Sequence, residues 1–306
     1  MDLDIQDMIN GRLGVGAALW FGRSFPPAVG YRLGGFLADR FGGRRRAAMV
    51  RAVCANQWVV SDGTLSSDQL DRRTRDTFRH TARCLFDLYH NLNDAGAMRE
   101  LVRYEPAVSD VLEKIKSGRQ AYVIVGPHMS NFDFVARAMA IQGVPLMALA
   151  YATPGSGYKW QNKMRRESGI DIVPASMTSL RQAIRRLEEG GSVITGMDRP
   201  LPDSKYHPRF FGRSAALSVM HVVLALKTNL PLVVMSPVMR PDGIYVIKGC
   251  EPFMMEPHPD RHTEIVQNAE RALAVAEGFI AQAPHQWSMF YPVWPEVMEE
   301  MKEERV

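Results

Sequence analysis

Cysteine is scarce in this chain: 306 residues hold three, Cys54, Cys84 and Cys250, odd in number and far apart. That argues against a disulfide framework or a zinc knuckle and fits a reducing compartment. Long apolar runs are also lacking. The longest near the start, Leu13 to Gly22, stops at Arg23, well short of the roughly 20 residues that cross a bilayer, so no transmembrane helix is expected. The opening MDLDIQD puts three acids where a signal peptide would be basic, so no signal peptide is expected either. Repeats, low-complexity tracts, zinc fingers, RNP aromatic motifs and basic zippers are absent. With a net charge of only +4 and a pI near 9.0, nucleic acid is not an expected partner.

What the chain does have is alternation. Residues 1 to about 60 read as helical and amphipathic, and Leu65 to Arg103 as one long helix or two, opening at Ser66-Ser67-Asp68. After a short helix over Val108–Ser117, strands and helices take turns. Strands are predicted at Tyr122–Val125, Leu146–Ala150, Ile170–Pro174, Ser192–Gly196, Leu232–Met235 and Ile244–Ile247. Helices are predicted at Asn131–Gln142, Tyr158–Ser168, Ser176–Glu189, Leu217–Lys227 and Glu264–Ala283, with a charged helical tail from Glu296. This predicts an α/β fold with a mixed, largely parallel central sheet flanked by helices. Residues 1–117 are expected to form a helical lead-in packed on a core of residues 118–306.

The segment Ala121 to Asp133, AYVIVGPHMSNFD, carries the clearest chemistry. A buried strand is broken by Gly126-Pro127 and followed by His128, at the carboxyl edge where open α/β sheets bind ligands. Ser130 or Asn131 can cap the next helix. Asp133 stands five positions after His128, too far for two residues stacked on one helix face. His128 is therefore expected in the turn, with Asp133 in the first helical turn reaching back to orient the imidazole and stabilise its charged form. The competing reading is a helix cap beside an incidental histidine. No G-x-S-x-G elbow is present, so such a base would activate a hydroxyl of the substrate and not a protein nucleophile.

With the strand before it, His128-Met-Ser-Asn-Phe-Asp133 resembles the H-x4-D signature of the glycerolipid and lipid A type acyltransferases. Further blocks follow in family order over roughly residues 120 to 290. Arg165-Arg166-Glu-Ser-Gly-Ile-Asp-Ile-Val-Pro174 is similar to the second block of the late lipid A branch, and Gly190 to Asp198-Arg199 to its third. Phe210-Phe211-Gly212 resembles its F-F-G and Pro284-His-Gln-Trp287 its closing P-x-Q-W. The lipid A enzymes usually carry arginine or histidine after that Q-W, which Ser288 to Trp294 lacks. The Arg-Glu-Ser and Asp198-Arg199 wording is closer to the phosphatidylinositol mannoside acyltransferases, so the acceptor stays open.

The resemblance implies an O-acyltransferase that moves a fatty acyl group from an acyl thioester, acyl-CoA or acyl-ACP, to a hydroxyl of a lipid or glycolipid at the membrane. His128 and Asp133 would be catalytic. Arg165, Arg166, Asp198, Arg199, Phe210, Phe211 and Gly212 would bind substrate, and neither metal nor redox cofactor is implied. Taken alone, Asp198 and Arg199 could be a surface ion pair, Arg165 and Arg166 a solvated helix face, and the two phenylalanines ordinary core. Lys159, Lys163, Arg165 and Arg166 form a compact cluster that favours coenzyme A over acyl carrier protein as donor.

Between residues 13 and 60, Leu19, Trp20, Phe21 and Phe25 alternate with Arg23, Arg32, Arg40, Arg44, Arg45, Arg46 and Arg51. That composition suits either a helix packed on the domain or an interfacial segment on anionic lipid. With the resemblance, peripheral attachment at the cytoplasmic face of the cell membrane is the expectation. His221 reads as a satisfied core histidine. His258 and His262, separated by Pro259 and lacking a third ligand, do not read as a metal site. The rival functions are a lipid-binding protein of this fold without turnover and a hydrolase using the same dyad on water.

Overall fold

The computed structural model describes residues 20–22, 24–150, 162–163, 165–167, 169–174 and 176–303. Among these, three helices come first: α1 Pro27–Gly42, α2 Ala48–Val60 and α3 Ser67–His90. α3 starts with a capping box, in which the Ser66 side chain accepts from Gln69 N–H and the Gln69 side chain accepts from Ser66 N–H. There follow α4 Ala95–Leu101, β1 Val102–Tyr104, α5 Pro106–Lys116, β2 Val123–Gly126, α6 Phe132–Ile141 and β3 Leu146–Ala150. Then come β4 Asp171–Pro174, α7 Met177–Glu188, β5 Ser192–Gly196, the hairpin β6 Arg209–Phe210 and β7 Arg213–Ser214, and α8 Met220–Thr228. The chain continues through β8 Leu232–Met239, β9 Tyr245–Gly249, α9 Arg261–Gln282, a 3-10 turn at Pro284–Gln286 and α10 Pro295–Glu303.

Seven strands form one sheet in the order β1-β9-β8-β2-β5-β3-β4. All neighbours run parallel except β8 and β9. The fold is thus the mixed, largely parallel α/β sheet that the alternation predicts. β2 lies inside it, and its β-branched residues are buried on both faces, as a helix-covered parallel strand requires. Val123 and Val125 join a core with α8 and α9, while Ile124 joins the other core with α5 and α6.

Two small elements differ from expectation. β1 lies upstream of residue 118, so the first edge strand comes from the helical lead-in. The hairpin β6–β7 interrupts what reads as a plain loop. All three strands are too short for alternation to register in a sequence window. Of the predicted Tyr158–Ser168 helix, Tyr158 to Gln161, Met164 and Ser168 lie outside the described residues, as do Leu13 to Leu19, Arg23 and Lys159. Among the described residues no helix is long and apolar enough to cross a membrane.

Candidate active site

β2 and β5 are parallel neighbours with Gly126 paired to Gly196. Two residues beyond each glycine come His128 and Asp198, so the sheet register itself brings them together at one carboxyl edge. His128 Nδ1 lies 2.6 Å from Asp198 Oδ1, and the His128 backbone N–H donates to Oδ2 at 2.8 Å. A neutral ring this close to a carboxylate must carry its proton on Nδ1, which leaves the Nε2 lone pair available. Gly196 matters for the fit, because a Cβ there would stand 2.9 Å from His128 Cε1. The ring also meets Phe132 edge-on, with centroids 5.2 Å apart.

Asp198 is wholly buried. Burial alone would push its carboxyl up, but the charge and hydrogen bonds of His128, together with the indole N–H of Trp287 at 2.7 Å, hold it below the ordinary carboxylate range. The carboxylate therefore stays ionised beside the ring and can stabilise an imidazolium.

Asp133 does not orient the histidine, as the five-residue spacing suggested. It begins α6, where the dipole favours a carboxylate, but its Oδ1 accepts from Arg165 Nε and Nη2, each at 2.6 Å. Arg165 Nη1 donates in turn to Asn162 at 2.7 Å. The reason is geometric: the neighbouring strand end reaches Nδ1 first, and Asp133 faces the arginine that precedes β4. Asn131, not Ser130, caps α6, and its Nδ2 donates to the Cys84 carbonyl.

His128, Asp133 and Arg165 share the rim of a cavity of about 170 Å³. Its walls are apolar: Val135 and Met139 of α6, Ala148, Ile172 and Ile194 of the sheet, and Met235 and Pro237 of β8. A histidine at the rim of a greasy slot between helix and sheet suits a reactant with a polar reacting end and a hydrocarbon tail.

A family model of bacterial lipid A biosynthesis acyltransferases matches residues 101–296. The chain belongs to this family. It is an acyltransferase acting on lipid, with an acyl donor and a lipid acceptor as substrates. No curated protein matches it at a significant level. The matched range runs from the start of β1 past Trp287 and so contains every site residue named above.

In this acyltransferase the other residues expected to bind substrate are placed away from the cavity wall. Phe210 is fully buried and stacks on Trp294 at 5.6 Å, and Phe211 lies against Trp287 at 6.3 Å. Phe211 and Gly212 have φ of 49° and 73°, so they form the two-residue turn of the β6–β7 hairpin. Gly212 thus answers to turn geometry. The three residues build an aromatic wall behind Trp287 and do not line the cavity; they bear on the site through the tryptophan that touches Asp198. Arg199 lies over the Tyr291 ring at 4.4 Å and is not part of the cavity wall. Arg166 donates to the Ile172 carbonyl, and Lys163 faces Glu167 at 3.8 Å.

Spacing missed Trp287, although it closes a quoted motif, because an indole donor carries no charge to draw attention. It also missed His80, whose Nε2 lies 3.1 Å from Ser130 Oγ and which burial pushes down to about 3. His221 is buried as expected but, among the described residues, neither of its ring nitrogens meets a hydrogen-bond partner. Among the described residues no group of His, Cys, Asp and Glu is placed to hold a metal ion.

Proposed function

We propose that this acyltransferase moves a fatty acyl group from a coenzyme A thioester to a hydroxyl of a lipid or glycolipid, with His128 as general base. The observation that carries this reading is the His128–Asp198 pair at the rim of the apolar cavity. The hydrocarbon tail lies in the cavity, which sets the thioester carbonyl beside His128. Nε2 takes the proton of the acceptor hydroxyl as its oxygen bonds to the carbonyl carbon. The tetrahedral intermediate then expels the thiolate, which recovers that proton from the imidazolium. Asp198 stabilises the imidazolium between these two transfers, and the start of α6 beside the rim presents positive partial charge to the oxyanion. Asp133 holds Arg165 at the mouth, where with Lys163 and Arg166 it draws the phosphates of the donor.

The acceptor is met at a membrane surface. Trp20, Val29, Leu33, Phe36 and Leu37 are exposed, four of them on one stripe of α1, and Arg32, Arg40, Arg44 and Arg46 are exposed nearby. Large apolar side chains beside arginines fit an anionic lipid interface.

The test is transfer from labelled acyl-CoA to a lipid extract by purified protein. His128→Ala should lower the rate by about 10² to 10⁴ while leaving the fold intact. Parent-like transfer by that variant would sink the general-base reading. Transfer from acyl carrier protein alone would overturn the donor assignment, and thioester loss without any acylated lipid would overturn transferase action.

A further inference from the structure

Asp198 is gripped from two directions. One is the histidine loop. The other is the strap after α9, where Trp287 Nε1–H donates to Oδ2 at 2.7 Å. That strap also holds the loop by its backbone: Ser130 N–H donates to the Gln286 carbonyl at 2.7 Å and Ser288 N–H to the His128 carbonyl at 2.8 Å. Ser130 keeps an uncommon φ of 44° within this grip. The indole is itself wedged by Phe210, Phe211 and Trp294, so its N–H has one direction to point. Packing alone would need only an aromatic ring here. A donor aimed at the carboxylate partner of the proposed base is a further feature.

We propose that Trp287 is a positioning residue that fixes the plane of Asp198 and moderates its pull on the His128 imidazolium. The indole holds Oδ2, so Oδ1 remains on Nδ1 through both proton transfers. Its N–H also draws charge density from the carboxylate. Without it, Asp198 attracts the protonated ring more strongly, and the ring keeps its proton to higher pH. The other ionisable groups around the pair are Asp133 and Arg165 across the cavity, Arg199 over Tyr291, and His80 and His285 behind the loop. Trp287→Phe leaves all of them in place.

The kinetic consequence rests on the acyl-transfer reading; the spectroscopic one does not. In Trp287→Phe, the acid limb of kcat/KM should move to higher pH by about half to one unit, a fraction of the roughly one to two units that one hydrogen bond to a charged group is worth, because the bond is to Asp198 and reaches the ring through it. The fall in kcat should exceed any change in KM. A folded variant with the parent acid limb would overturn the role. A second measurement needs no tryptophan variant. In parent protein with its five tryptophans labelled with nitrogen-15, one indole N–H resonance should shift as the His128–Asp198 pair titrates, and should change in Asp198→Asn. If no indole responds, Trp287 is packing only. A parent protein inactive on every thioester would sink the functional reading, while the resonance would still decide this one.

Discussion

The two aspartates of the site have different partners, and under the proposed mechanism replacing each by asparagine separates their roles. Asp198→Asn removes the charge that stabilises the imidazolium and lets the amide present its N–H₂ to Nδ1, which favours the wrong tautomer. Its kcat should fall by about 10² to 10⁴. Asp133→Asn should also lose activity, but by loosening Arg165 at the mouth, so KM for the thioester should rise. The downfield Nδ1–H proton resonance of His128 should persist in Asp133→Asn and vanish in Asp198→Asn; the reverse pattern would refute the assignment. His128 was legible in the sequence because a strand broken by Gly-Pro announces its own carboxyl edge. Asp198 was legible as a strand-end residue but not as the partner of the imidazole. Local spacing favours the carboxylate five residues away, whereas the pairing depends on which strands are neighbours. One signal was present: Gly126-Pro-His128 and Gly196-Met-Asp198 share an offset, and parallel register turns equal offsets into contact.

Among the elements, α1 makes the sharpest forecast. Its inner face packs on α3, with Tyr31 donating to buried Asp87 at 2.6 Å, while Phe36 and Leu37 stay 65% and 57% exposed. Phe36→Ser with Leu37→Ser should weaken co-sedimentation with anionic vesicles roughly tenfold or more, given about 1.5–3 kcal/mol for burying each large apolar side chain. High salt should weaken the parent as well, since the Debye length shrinks to roughly 3 Å at 1 M. Equal, salt-independent binding to neutral vesicles would count against the basic patch. The alternation of arginines with aromatics marked this segment as helical and amphipathic. The face each residue takes was not readable, because it is fixed by the partner helix. β3 and β5 emerged at their predicted bounds, whereas β8 ran on to Met239, past the predicted end at Met235, because its antiparallel pairing with β9 continues through Pro237.

At the scale of the whole molecule, buried histidines set a pH dependence of stability. Burial pushes His80 down to about 3 and His221 to about 4, from an ordinary value of 6.5. The unfolded chain binds these protons first. The contribution is therefore complete above about pH 6.5 and is lost as pH falls toward the folded values. Burial raises the Asp87 carboxyl and acts in the opposite sense below that point. Thermal unfolding should show a lower midpoint at pH 5 than at pH 7. His221→Leu, which removes two buried nitrogens that have no hydrogen-bond partner among the described residues, should raise the midpoint at pH 7 and flatten the acid decline. A steeper decline in that variant would show that His221 is paired after all.

The strap that closes over the histidine loop also sets a clock for synthesis. His128, Asp198 and Trp287 leave the ribosome in that order, and the loop receives its last backbone bond only when Ser288 has emerged. Most of the sheet can assemble earlier, because β9 ends at Gly249. All seven strands have thus emerged before the segment that holds the histidine loop in place. Premature termination upstream of the strap would remove the indole that touches Asp198 and both backbone bonds to the histidine loop, together with part of the core behind β2.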